Sequence, residues 1–241
     1  RAKAFDTGER EVRANPVAYA RAVTSTFAPL RRPVFRMLWA TWITANTCMW
    51  MNDVAAAWMM TSLSASPAMV ALVQTASTLP VFLLGLPSGA LADILDRRRW
   101  FMATQIWVAI VGLVLSAVVL AGAMTPALLL ALTFANGMGL AMRWPVFAAI
   151  VPELVPRNEL PQALGLNSIA MNASRIIGPV LAGALIAGAG SAYVFALNAA
   201  LSMTSALVIW RWKRDPAPAS VLPGERFVGA MRVGVQYVRQ S

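Results

Sequence analysis

Two charged side chains, Asp53 and Arg175, fall inside long apolar runs, and any chemistry of this chain starts from them. A charge near the centre of a membrane-crossing helix costs about 2.5 to 3.5 kcal/mol on insertion scales, so each needs a partner, water or a ligand. Each also belongs to a polar stripe at helical spacing: Trp42, Asn46, Trp50 and Asp53 in one run, and Ser168, Asn172, Arg175 and Pro179 in another. Aromatic rings mixed with amides suit recognition of a bulky amphipathic solute, with Gln74 and Asn136 as further candidates. The plainer reading of each residue is interhelical packing and hydrogen bonding. Counted from the basic ends of their runs, Asp53 and Arg175 fall at similar depth. Pairing of the two stands against a reading with Asp53 at the outer interface and Arg175 on backbone carbonyls.

Other chemistry is thinly provided. The chain has no histidine, which removes the commonest general base and metal ligand, and Cys48 alone makes no intrachain disulfide. No Gly-rich Lys-Ser/Thr phosphate loop is present, and no cluster of acid, base and nucleophile can be assembled. The expectation is a protein that is not an enzyme and takes neither metal nor cofactor.

Composition sets the class. Of 241 residues, 59% are hydrophobic and 12% charged, and the mean hydropathy is +0.63. That is too apolar for a soluble domain to hide in one core, so the chain reads as an all-α membrane protein whose first partner is the lipid bilayer. The formal charge of +10 lies mainly at the ends of apolar runs and in the two tails. There it acts as a topology determinant, and no nucleic-acid partner is expected.

Six spans are expected, over about 37–63, 69–92, 100–121, 127–151, 162–188 and 192–210, in a bundle covering 37–212. A basic polar tail, 1–36, precedes them. A segment over 213–241 follows, in which Phe227, Met231, Val235 and Val238 suggest an amphipathic surface helix. The tails, the Arg97–Arg99 turn and the Arg157 connector are basic, while the turns at 64–68, 122–126 and 189–191 lack Lys and Arg. By the positive-inside rule both ends are cytoplasmic, as an even number of spans requires. The chain opens on Arg1 with no signal-peptide pattern, and residues before it are expected to be missing.

The turn between the second and third spans is the most specific stretch. Taken alone, Asp96-Arg97-Arg98-Arg99 is a topology anchor. With Gly89, Leu91, Ala92 and Asp93 it resembles the signature between the second and third helices of the major facilitator superfamily, Ile94 and Asp96 standing where Arg and Gly are usual. The resemblance implies a conformational latch built from Gly89, Asp93, Asp96, Arg97, Arg98 and Arg99. Gly89 would let another helix approach closely, and Asp93 and Arg97 are spaced for a helical ion pair.

In the fifth span, Gly165, Ser174, Gly178, Pro179, Ala182 and Gly183 resemble the antiporter motif of exporters in that superfamily, beside a plainer reading as small-residue packing with a proline kink. Asn136-Gly137-Met138-Gly139 is similar to the end of the fourth-helix motif, with Thr133 where the arginine linked to proton coupling is usual. The runs 58–61, 71–77, 160–168 and 172–179 resemble the bacterial transmembrane secretion effector subgroup that includes the enterobactin exporter. The resemblance covers about Phe27 to Ser241. It implies the N-terminal six-helix half of a bacterial inner-membrane secondary transporter. That transporter would export small amphipathic molecules such as siderophores or drugs by alternating access, with protons or another coupling ion and a missing C-terminal half as partners. Alternatives are an uptake facilitator on the same fold, a non-transporting scaffold or receptor, and a free-standing six-helix protein that dimerises.

Overall fold

The computed structural model describes residues 26–94 and 96–212, leaving out the side chains of Leu86, Ala90 and residues 92–94. The tail before Thr26 and the expected surface helix within 213–241 lie outside the described residues. A 3-10 turn, Ala28–Arg31, leads into six α-helices: α1 Pro33–Leu63, α2 Pro67–Ile94, α3 Arg97–Leu120, α4 Pro126–Leu154, α5 Leu160–Ala189 and α6 Ser191–Arg211. No strand occurs among the described residues.

The helix ends follow from local chemistry. Proline takes the first or second position of α1, α4 and α5, where its missing N–H costs no hydrogen bond. The Thr125 hydroxyl caps α4 by accepting from the Leu128 N–H at 3.3 Å. At the end of α3 the Gly122 N–H bonds Val119 O at 3.0 Å and the Ala123 N–H bonds Val118 O at 3.1 Å. Gly122 sits at φ +67° to allow it, a conformation that favours glycine. α1 begins at Pro33 rather than 37 and α4 runs to Leu154 rather than 151, because helical hydrogen bonding continues beyond the apolar zone into the charged ends.

Among the described residues five helices are long and apolar enough to cross a membrane: α3, α4, α5, α6 and, over Pro67–Gly85, α2. α1 is not among them, although its 31 residues reach about 46 Å. Its place in the bundle explains its composition. α1 packs on α5 and α6 and touches α2 and α4, burying Asn46 and Asn52 in the interior rather than showing them to lipid.

The most extensive contacts are α3 with α6, α2 with α4 and α1 with α5, followed by α1 with α6 and α3 with α4 at nearly equal extent. Exchanging α1 with α4, α2 with α5 and α3 with α6 maps these pairs onto themselves. This is the signature of two three-helix units packed in opposite sense. Each of the three leading pairs is built on a glycine. A Cβ at Gly178 would come within 2.6 Å of Trp50 Cβ and 3.0 Å of Thr47 O, and one at Gly137 within 2.6 Å of Ser77 O. At Gly112 it would stand 3.2 Å from Ala199 Cβ.

The interior divides by depth. One apolar cluster gathers Phe35, Leu38, Trp42, Phe101, Phe147 and Ile209 towards the arginine-bearing end. Another gathers Met51, Met60, Leu115, Leu129 and Phe195 towards the opposite end. Buried polar groups, among them Asn46, Gln105, Arg143 and Ser202, lie in the helices between these ends.

Contacts join the helix ends that carry arginine. Arg32 at the start of α1 meets Glu159 before α5, Arg97 at the start of α3 meets Glu153 near the end of α4, and Arg98 reaches the end of α6. The opposite end is formed by turns around 64–66, 121–125 and Gly190, without Lys or Arg.

Because a methyl has no room at two of these crossings, Gly178→Ala and Gly137→Ala are each expected to destabilise the bundle by roughly 1 to 3 kcal/mol. Gly165→Ala and Gly183→Ala, where a Cβ meets nothing within 4 Å, should be neutral or stabilising by up to about 1 kcal/mol. Thermal unfolding of the four purified variants checks the ordering; equal shifts in all four contradict it.

Candidate functional site

The limited contact of α1 with α2 and α4 leaves a cleft of about 370 Å³ between α1, α2, α4 and α5. α1 contributes Met49, Trp50 and Asp53, and α5 contributes Met171. α2 supplies Gln74, Ser77, Thr78, Val81, Gly85 and Ser88, while α4 supplies Leu140, Ala141, Trp144 and Pro145. Gly137 sets the nearby α2–α4 spacing by seating α4 on Ser77 and Pro80.

Trp144 links the cleft to the aromatic core. It stands edge-on to Trp42 with ring centroids 6.0 Å apart, and Trp42 stacks on Phe147 at 3.9 Å with an interplanar angle of 4°. Behind them Arg143, only 1% exposed, holds its guanidinium carbon 5.3 Å from the Trp42 ring centroid. Its Nε and Nη2 have no hydrogen-bond partner, so the aromatic face is the contact that compensates its charge.

The structure brings Trp50, Asp53 and Gln74 together on the cleft wall. Asn46 is fully buried, its amide nitrogen donating to Trp42 O at 2.8 Å, and Asn136 is buried within α4. Asn172 is exposed and donates to Ser168 O at 2.8 Å within its own helix. Arg175 is exposed, with its guanidinium carbon 5.5 Å from the Trp50 ring centroid. No ion pair joins Asp53 to Arg175 among the described residues; the Trp50 ring takes the cation instead.

At the arginine-bearing end, the chain path separates Asp93 and Arg97 into two helices. α2 ends at Ile94 and α3 begins at Arg97, so the two residues do not share a helix and the i, i+4 spacing does not apply. The cause is Asp96, whose extended backbone ends one helix while its side chain caps the next, accepting from the Arg99 N–H at 2.9 Å. The Asp93 side chain lies outside the described residues.

Arg97 donates to the Glu153 carboxylate and to Ala149 O, tying α3 to α4. Arg98 donates to Ile209 O at 3.1 Å and also to Trp210 O, satisfying carbonyls at the end of α6. Arg99 is exposed, and a Cβ on Gly89 would meet nothing within 4 Å.

On α5, Ser174 is wholly buried, donating to Ile43 O at 3.2 Å and lying 3.1 Å from the Thr47 hydroxyl. One turn on, Gly178 fits against α1, and Pro179 sits inside a helix continuous from Leu160 to Ala189. Gly165 and Gly183 border open space.

Sequence reasoning missed Trp144, Ser77, Thr78 and Ser88 on the cleft wall, and Glu153 and Glu159 as partners of arginines. The signal for the first group was a tryptophan before Pro145 and hydroxyls spaced along α2; for the second, acids flanking Arg157 in a connector that carries both signs of charge.

A bundle of long apolar helices with one arginine-rich end, an inverted-repeat contact pattern and an apolar cleft with few polar groups defines a multi-pass membrane protein of the transporter type. A family model described as transmembrane secretion effector matches residues 24–241. The chain belongs to this family, within the major facilitator superfamily.

Among curated proteins it is 33% identical over 153 residues to the uncharacterized MFS-type transporter YfiS of Bacillus subtilis, covering 64% of this chain and 36% of that one. It is 25% identical over 177 residues to macrolide efflux protein A of Enterococcus faecalis, covering 72% of this chain and 54% of the relative. The staphyloferrin A transporter of Staphylococcus aureus is 24% identical over 139 residues, covering 57% and 35%. The aligned part is thus about a third to a half of each relative.

Arg32 grips Glu159 with two bonds, Nε to Oε2 at 2.9 Å and Nη2 to Oε1 at 3.2 Å. These hydrogen bonds hold the Glu159 carboxyl below the usual range and push the Arg32 guanidinium further up. Because the folded value for Glu159 is lowered, the stability the pair contributes is fully present above the ordinary carboxylate range and is lost as pH falls through the lowered value. The melting-temperature gap between wild type and Glu159→Gln should therefore be constant near neutrality and close in acid. A gap that persists in acid contradicts the pairing.

Proposed function

We propose that the chain forms the N-terminal half of a secondary active transporter that exports small amphipathic molecules by alternating access. The cleft between α1, α2, α4 and α5 is its share of the solute site. The carrying observation is the cleft itself: a mostly apolar concavity with a few convergent polar groups, in a chain of the transmembrane secretion effector family. The relatives' names, a macrolide efflux protein and a staphyloferrin A transporter, support small organic solutes as cargo, and the first supports export as the direction.

In this reading all six helices cross the bacterial inner membrane, with the arginine-bearing end and both chain ends on the cytoplasmic side. Supporting this, exposed Tyr193 and Trp210 on α6 stand about 26 Å apart along the helix, close to the thickness of a hydrocarbon core. Exposed Trp58 lies towards the Tyr193 end. A C-terminal half covers the apolar face of α2 and α5, where Phe82 is 84% and Ile176 71% exposed. It docks near Gly89 and Arg99 to complete the latch, and an ion gradient drives the cycle.

Energised flux in inside-out vesicles holding the full-length protein tests the proposal. Solute accumulation that requires an ion gradient is expected, and Thr78→Trp, which fills the cleft from an exposed position on α2, should reduce the rate at least about tenfold. Accumulation in the opposite direction would make the protein an uptake facilitator. Absence of flux for every solute would leave a scaffold or receptor.

A further inference from the structure

Asp53 is the one charged group among the described residues that line the cleft. It makes no hydrogen bond or ion pair with any other described residue, and the two cations deepest in the helices are engaged elsewhere. Arg143 is buried on Trp42, and Arg175 lies exposed against Trp50. A bare carboxylate in apolar surroundings is stabilised by a counter-charge or by a proton, and no described residue supplies the counter-charge here.

The neutral polar groups lean the same way. The Ser77 and Thr78 hydroxyls both give their protons to Gln74 O, at 3.1 and 2.7 Å, and the Ser88 hydroxyl gives its proton to Gly85 O at 3.0 Å. The Gln74 amide nitrogen is directed to the Ser77 oxygen at 3.5 Å. The wall therefore offers oxygen acceptors and a carboxylate, and among its donors the Trp50 indole N–H is without a partner. The Trp144 ring adds a face that attracts a cation, and Trp50, whose ring meets Arg175, adds cover for an apolar body.

We propose that this cleft selects amphipathic organic cations, with the Asp53 carboxylate recognising the charge and the Trp50 and Trp144 rings holding the apolar part. The proposal rests on the cleft being a solute site, and it favours amine-bearing molecules over polycarboxylate siderophores.

Equilibrium binding to the full-length protein in lipid nanodiscs, with no gradient applied, tests it separately from transport. The probes are tetraphenylphosphonium, tetraphenylborate and neutral triphenylphosphine oxide. In wild type the cation should bind at least about tenfold more tightly, relative to each probe's lipid partition, than the other two. Asp53→Asn should bring the cation to the level of the neutral probe while leaving the neutral probe unchanged, and Asp53→Glu should keep the preference. If the Asn variant no longer holds the neutral probe, Thr78→Lys decides: loss of cation binding with the neutral probe retained supports the proposal. Preference for the borate, or undiminished cation binding in Asp53→Asn or Thr78→Lys, overturns it. Those results leave transport of neutral or anionic solutes standing, whereas failure of the transport reading shows as absent flux in energised vesicles.

Discussion

Close approach of helix backbones at three glycines is the constraint on which the rest of the bundle depends. In hydrocarbon the apolar effect does not drive helices together, so association rests on van der Waals contact and on hydrogen bonds between helices. Gly178 places α5 directly on α1, Gly137 places α4 on α2, and Gly112 places α3 on α6. Ser174 adds a side-chain bond to the Ile43 carbonyl at the first of these crossings. With those three pairs set, the remaining contacts follow the pseudo-symmetric pattern of two opposed three-helix units.

The cleft is a consequence of that pairing. α1 is drawn towards α5 and α6, and α4 towards α2 and α3, so the space between α1 and α4 is left for side chains to fill. Towards the arginine-bearing end, Trp42, Phe147 and Phe101 fill it with stacked and tilted rings. Farther along, Asp53, Gln74 and Trp144 border an opening instead. At the arginine-bearing end, the cations hold helix ends together: Arg97 joins α3 to α4, Arg98 joins α3 to α6, and Arg32 joins α1 to α5. Residues that read as topology determinants thus also carry structural bonds.

Much of this was legible from residue order. Apolar run lengths located the helices, four of which have a proline at or next to their start, and Asp53 stood out as a charge that packing alone would not explain. The polarity of α1 was legible too, although its cause, a central position, was not. What escaped were relations between distant segments. Periodicity shows which face of α1 carries Asn46 and Asp53, but only the tertiary arrangement shows that Asn46 is consumed by Trp42 O while Asp53 reaches the cleft. The helix boundary between Asp93 and Arg97 escaped because Asp96 can cap a new helix as readily as continue an old one. For Arg175, a carboxylate and backbone carbonyls both stood open as partners, and the contact it makes with the Trp50 indole was not among them.

The central claim is that the space between α1, α2 and α4 is an aqueous solute cleft and not a packing defect within a lipid-sealed bundle. A single cysteine at Thr78, introduced with Cys48→Ser into the full-length protein, tests it by labelling with a membrane-impermeant maleimide from either side of the membrane. The account predicts labelling from water, slowed by a bound solute and changing in sidedness when a gradient is applied. A Thr78→Cys thiol that stays unreactive from both sides, with and without a gradient, would contradict it.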